Sequence, residues 1–127
     1  MVCATTRIEE TTMVPSPQDI PAAFAAAFNR KDVDALLALY ADDALLVADG
    51  TAEVPRSGLR AALEGFLGLP GPITMTLRRA VVQGDIAIVF AEWTLPNGVG
   101  GTTSDVVRRE RDGGWRYVID APFGIRV

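Results

Sequence analysis

Apolar residues recur at helical spacing in the first half of the sequence and at every second position in the last third. Ile20, Phe24, Ala27 and Phe28 fall on one face at intervals of three and four, which predicts an amphipathic helix. Ser16-Pro17-Gln18-Asp19 supplies its start, with either Ser16 capping ahead of Pro17 or Asp19 capping, and Asn29-Arg30-Lys31 supplies its end. Asp32 then caps a short second helix whose stripe is Val33, Leu36, Leu37 and Tyr40. Asp42-Asp43 breaks that helix. The apolar run 44–48 is too short for another and enters Asp49-Gly50, so it reads as a strand running into a turn. A third helix opens at Ser57 or Gly58, carries Leu59, Leu63, Phe66 and Leu67, and stops at Leu69-Pro70-Gly71-Pro72.

From Ile73 onward the period is two. Residues 73–82, 86–95, 102–111 and 115–120 are predicted strands, joined by Gln83-Gly84, by the loop 96–101 and by Asp112-Gly113-Gly114. Short turns between consecutive strands make an antiparallel meander. The expected fold class is therefore α+β: three helices in the N-terminal half, packed on one face of a mostly antiparallel sheet. Residues 1–15 are polar and unpatterned and read as a flexible tail, leaving 16–127 as a single domain.

With 127 residues there is room for one core of ordinary size, which needs neither a disulfide nor a metal. The single cysteine, Cys3, has no intramolecular partner. There is no histidine, which removes Ser-His and Cys-His nucleophile pairs and every histidine-containing metal site, so no metal is expected. Twelve basic against sixteen acidic residues, with one lysine, give no electrostatic footprint for nucleic acid. No apolar run approaches the roughly 20 residues of a membrane span. Glu9 and Glu10 stand where the apolar core of a signal peptide would lie. The expectation is a soluble, cytoplasmic protein without a membrane partner.

Candidate chemistry follows from which face of the sheet is buried. A two-residue turn at Gln83-Gly84 would pair Val81 with Ile86, Arg79 with Ile88, Leu77 with Phe90 and Met75 with Glu92. That bulky face is expected against the helices, with Ala87, Val89, Ala91 and Trp93 outward. Glu92 would then point inward, where an ionised carboxylate must be paired, neutralised or open to a polar cavity. It is a candidate base, and the alternative is a plain ion pair with an arginine at the sheet edge. The last hairpin defines two sets, one with Asp105, Val107, Arg109, Arg116, Val118 and Asp120, the other with Val106, Arg108, Glu110, Trp115, Tyr117 and Ile119. If the first faces inward, Asp105 and Asp120 repel and one titrates high, making a general base. If the second does, Arg108 and Tyr117 line a binding pocket. Parity alone leaves both open. Tyr40 could turn its hydroxyl into the same cavity, and Phe28, Phe90 and Phe123 are candidate apolar lining. Asp49-Gly50 is turn chemistry, and Gly98, Gly100 and Gly101 precede no helix and so form no phosphate loop.

Several stretches resemble the nuclear transport factor 2-like superfamily, above all its SnoaL-like and ketosteroid-isomerase-like small bacterial proteins. They are Phe24-x3-Phe28-Asn29, the run from Asp32 through Tyr40 to Ala44, Gly84-Asp-Ile-Ala, Trp93-Thr94, Val106-Val-Arg-Arg, and the run from Gly114 to Gly124. The resemblance covers about residues 18–124. It implies a conical barrel in which a curved sheet wraps a long first helix, a pocket at the wide end, and a homodimer through the outer sheet face. It also implies either a small-molecule-binding protein, with cofactor-free isomerase, cyclase or dehydratase chemistry on an apolar ligand bearing a carbonyl or hydroxyl, or a non-catalytic dimeric module. In the first case Glu92, Asp105 or Asp120 acts as base, Tyr40 or Tyr117 donates to the developing oxyanion, Arg108 orients a polar group, and no cofactor is required.

Overall fold

The computed structural model describes residues 13–127; Cys3 and residues 1–12 of the expected tail lie outside the described residues. Val14 is buried, and its carbonyl accepts a hydrogen bond from the Trp115 N–H at 2.9 Å, so the packed chain already includes this position. The fold is α+β, with three helices and a curved, open, mostly antiparallel sheet.

A 3-10 turn at Pro17–Asp19 leads into helix α1, Ile20–Asn29. Ser16 does not cap a backbone N–H; its hydroxyl donates to Asp19 Oδ2 at 2.8 Å. Ile20, Phe24, Ala27 and Phe28 form the buried stripe, as their spacing predicts. At 10 residues α1 is shorter than the long helix expected, and α3, Arg56–Leu67, has 12. Asp32 caps the short helix α2, Val33–Leu37, by accepting from the Ala35 N–H at 3.0 Å.

Tyr40 corrects the sequence reading. It opens strand β1, Tyr40–Ala48, rather than closing the helix. The backbone here is taken up by a parallel neighbour: the Tyr117 N–H donates to the Leu39 carbonyl at 2.8 Å and Tyr40 pairs with Tyr117. Asp49 and Gly50 turn the chain with φ of 50° and 88°. Strand β2, Ala52–Pro55, which the sequence did not signal, then pairs antiparallel with β1. After α3 come β3, Thr74–Gln83, β4, Ile86–Thr94, the short β5, Gly100–Thr102, β6, Asp105–Arg109, and β7, Trp115–Asp120. The sheet order is β2-β1-β7-β6-β4-β3, with β5 beside β4, and β1–β7 is a parallel pair. The last strand thus lies in the middle of the sheet, between the first strand and the meander.

The buried face of β4 is the opposite of the one expected. Ala87, Val89, Ala91 and Trp93 are buried, while Ile86, Ile88 and Glu92 are exposed and Phe90 is half-buried. The turn falls at Gly84-Asp85, so Val81 pairs with Ile88 and Gln83 with Ile86. That two-residue shift preserves facing and cannot explain the reversal. Bulk explains it: α1 and α3 bring Phe24, Phe28 and Phe66 to the concave side, and small residues on the sheet leave the volume these rings fill. The displaced apolar residues form a row over the convex side. Val81, Ile88, Val106, Ile119 and Leu45 are register partners in succession across β3, β4, β6, β7 and β1.

Candidate functional site

The site is made by a one-residue irregularity in β7. Val107 pairs with Tyr117 and Val106 with Ile119, so Val118 is an extra residue that β6 does not match. Before the bulge Trp115 and Tyr117 face inward; after it Ile119 faces out and Asp120 faces in. The two sets that simple alternation kept apart are therefore combined, with Asp105 and Val107 of one beside Trp115 and Tyr117 of the other.

Asp105 and Asp120 are 1% and 6% exposed. Asp105 Oδ1 accepts from the Ala121 N–H at 3.0 Å, and the nearby Thr103 side chain also favours the charged form of this carboxyl. Thr103 is itself held, because its Oγ1 accepts from the Ala91 N–H at 3.1 Å. Burial pushes the Asp105 carboxyl well up, and the negative charge of Asp120 pushes it further. Its proton is shared toward Asp120, which also accepts from the Tyr40 hydroxyl. Burial raises Asp120 as well, while the donors on Tyr40 and Asp105 draw it back down. Of the two, Asp105 is pushed up further and holds a proton more readily, which leaves Asp120 as the better anion. Tyr40 and Tyr117 are both raised well above the usual phenol range, first by burial, so both are neutral donors. Their rings lie 4.8 Å apart at 30°, and Phe24 meets Tyr117 edge-on at 6.3 Å.

In front of Asp120 is a cavity of about 320 Å³ between α1, α3 and the concave sheet face, at the small end of the ~300–1,000 Å³ of ligand pockets. Asp120, Tyr117 and Thr103 contribute its polar groups in the interior, and Asp49 lies at the rim. Phe24, Phe66, Trp93 and Met75 supply apolar wall. Trp93 is fixed by its Nε1–H, which donates to the Pro122 carbonyl at 2.7 Å, and Phe123 stacks edge-on against it at 5.3 Å. Among the described residues no group of three or more Asp, Glu or Cys is placed to hold a metal ion, and no helix is long and apolar enough to cross a membrane.

The remaining expected site residues lie elsewhere. Glu92 is on the convex face, 3.8 Å from Arg78, with half its side chain exposed, so the ion-pair alternative describes it and the cavity does not contain it. Phe90 follows Glu92 to the outer face by strand alternation. Arg108 also faces out, bonding Glu110 Oε2 at 2.8 Å and Asp43 Oδ1 at 2.9 Å. Phe28 is buried in the core against Phe66 and does not line the cavity, whereas Phe123 does, at its exposed edge. Tyr40 and Asp105 stand behind Asp120 and not on the cavity wall. Sequence reasoning did not single out Thr103, for which no spacing signal exists, and it placed Trp93 outward.

A profile of the SnoaL-like domain matches residues 22–118. The chain belongs to the SnoaL-like family. The matched span holds Tyr40, Asp105 and Tyr117, with Asp120 just beyond it. Among solved structures, this SnoaL-like chain is similar to a Thiobacillus denitrificans protein named for the calcium/calmodulin-dependent protein kinase type II association domain (26% identity, TM-score 0.67, 87% of this chain and 98% of that one). It is also similar to a candidate dehydratase of the nuclear transport factor 2-like family from Streptomyces avermitilis (20%, 0.66, 85% and 93%). A third is a ketosteroid isomerase-like protein from Erwinia carotovora (23%, 0.61, 80% and 88%). At these identities the last two establish a shared fold. No curated protein matches the sequence.

Proposed function

We propose that this SnoaL-like protein binds a small, mostly apolar molecule bearing a carbonyl or hydroxyl and moves a proton next to that group without a cofactor. Asp120 is the base, and the Tyr117 hydroxyl donates to the oxygen on which charge develops. Asp105 and Tyr40 are positioning residues that hold the Asp120 carboxylate from behind. The observation that carries this reading is a buried carboxylate at a mostly apolar cavity, its titration raised by burial and the group steadied by two donors outside the cavity wall. Isomerisation, cyclisation and dehydration all begin with such a step.

The test is hydrogen exchange. A panel of cyclic and aryl ketones is incubated in D2O with the protein, and loss of the α-proton NMR signals is followed. Exchange above buffer rates in wild type that collapses in D120N supports the reading, provided the variant keeps its circular dichroism. No ketone exchanging faster than in buffer, or full exchange in D120N, refutes it.

A second reading, a module that associates through its sheet, is favoured by the apolar row over the convex face, where Val81 is 46% and Ile88 43% exposed. The partner we propose for that face is a second copy of the chain. The cavity lies on the other side of the sheet, so the two readings are compatible.

A further inference from the structure

Both charged side chains that line the cavity are carboxylates: Asp120 in the interior and Asp49 at the rim, with no Arg or Lys among the lining residues. Arg126 packs on Gly50, its N–H donating to the Gly50 carbonyl at 3.0 Å, but it does not line the cavity. Asp49 is fixed by its turn. Its Oδ1 accepts from the Thr51 N–H at 3.3 Å, the Thr51 hydroxyl at 3.0 Å and the Ala52 N–H at 3.3 Å, which also keep it ionised. The wall also carries the aromatic rings of Phe24, Phe66, Trp93 and Phe123, whose faces attract cations.

An anionic ligand would meet a carboxylate at the rim and another in the interior, and the one cation nearby, Arg126, acts on Asp49 from outside the cavity wall. A ligand with an ammonium group at the rim would meet Asp49 while remaining hydrated, so its charge would not have to be desolvated. We propose that the ligand of this cavity is an amine: an apolar body against Phe66 and Trp93, a carbonyl or hydroxyl reaching Asp120 and Tyr117, and a basic nitrogen at the rim beside Asp49. The inference rests on reading the cavity as a ligand site and narrows the class of molecule that enters it. Carboxylic acids and phosphate esters are disfavoured by the same two carboxylates.

Three probes of one skeleton separate the possibilities: 3-phenylpropylamine, 3-phenylpropan-1-ol and 3-phenylpropanoate, titrated at low salt and followed by amide chemical shifts of Phe66, Thr103 and Tyr117. D49N keeps the Oδ1 acceptor of the turn, and asparagine tolerates the left-handed backbone at this position. The amine should bind about five-fold tighter than the alcohol, the effect of unit charges ~4 Å apart in water, and the carboxylate weakest of the three. D49N should bring amine and alcohol together, and added salt should narrow their gap in the wild type. A carboxylate that binds as tightly as the amine, or an amine advantage that survives in D49N, overturns the inference and leaves the ligand cavity standing. If none of the probes shifts these amides, the ligand-site reading falls and the inference with it.

Discussion

Asp105→Asn tests the buried proton. Asparagine copies the protonated carboxyl: its Oδ1 can accept from the Ala121 N–H, and its amide can donate to Asp120 as the Asp105 proton does. The consequence is a change in how stability depends on pH. Asp105 titrates well above its unfolded value, so above about pH 4 the wild type must take up a proton to fold. Its contribution to stability is complete below the unfolded pKa and is lost as pH rises toward the folded one, at about 1.4 kcal/mol per pH unit while the pair keeps its proton. D105N needs no such proton. Its unfolding free energy relative to wild type should therefore climb as pH rises, for as long as the folded Asp105 stays protonated. Urea unfolding at pH 5, 6 and 7, at one fixed protein concentration, measures this. Parallel curves for the two proteins would refute the shared proton, since an ionised Asp105 would give wild type no extra pH dependence.

Tyr40→Phe removes a donor from a buried carboxylate and should cost about 1.5–3 kcal/mol of stability. It should also raise Asp120, because the Tyr40 bond draws it down, so the acidic limb of any rate profile moves to higher pH. Glu92→Gln should leave ketone exchange unchanged and alter stability by less than about 1 kcal/mol, as for an exposed ion pair; loss of exchange in this variant would return Glu92 to the chemistry. Ile88→Lys should convert a sedimenting dimer to a monomer with its circular dichroism intact, and a wild type that sediments as a monomer would rule out association through the convex face.

The sequence was most informative where periodicity and capping act locally. The α1 stripe, the Asp32 cap and the strand-rich second half are all visible in it, because each depends on spacing over a few residues. Facing was harder to read. Ile86, Ile88 and Phe90 are larger than Ala87, Val89 and Ala91, yet the smaller set is inside, because Phe24, Phe28 and Phe66 of the helices already bring large rings to the concave side. Tyr40 fits a helical stripe as well as a strand, and its pairing with β7 spans most of the chain. The approach of Asp120 to Tyr117 depends on Val118, an insertion in register that alternation forbids and that no residue type announces. That is why Asp105/Asp120 and Arg108/Tyr117 read as exclusive choices, when in fact Asp105, Asp120 and Tyr117 face inward together and Arg108 alone faces out.

The connection between α1 and α2 has a mechanical effect on the cavity. Asn29 exchanges two hydrogen bonds with the backbone of Ile73, at 2.8 and 3.2 Å, and Lys31 donates to the Leu67 and Leu69 carbonyls at 2.9 and 3.0 Å. Leu69 and Ile73 are part of the cavity wall. The irregular segment after α3 is therefore riveted at three places to one tight bend, and displacing it means breaking four bonds together. The opposite rim, formed by Asp49 and the half-exposed Phe123, carries no comparable fastening to the helices. A shift of the wall is therefore easier at that rim, where the turn aspartate and the ring of Phe123 lie, than along the segment tied to α1.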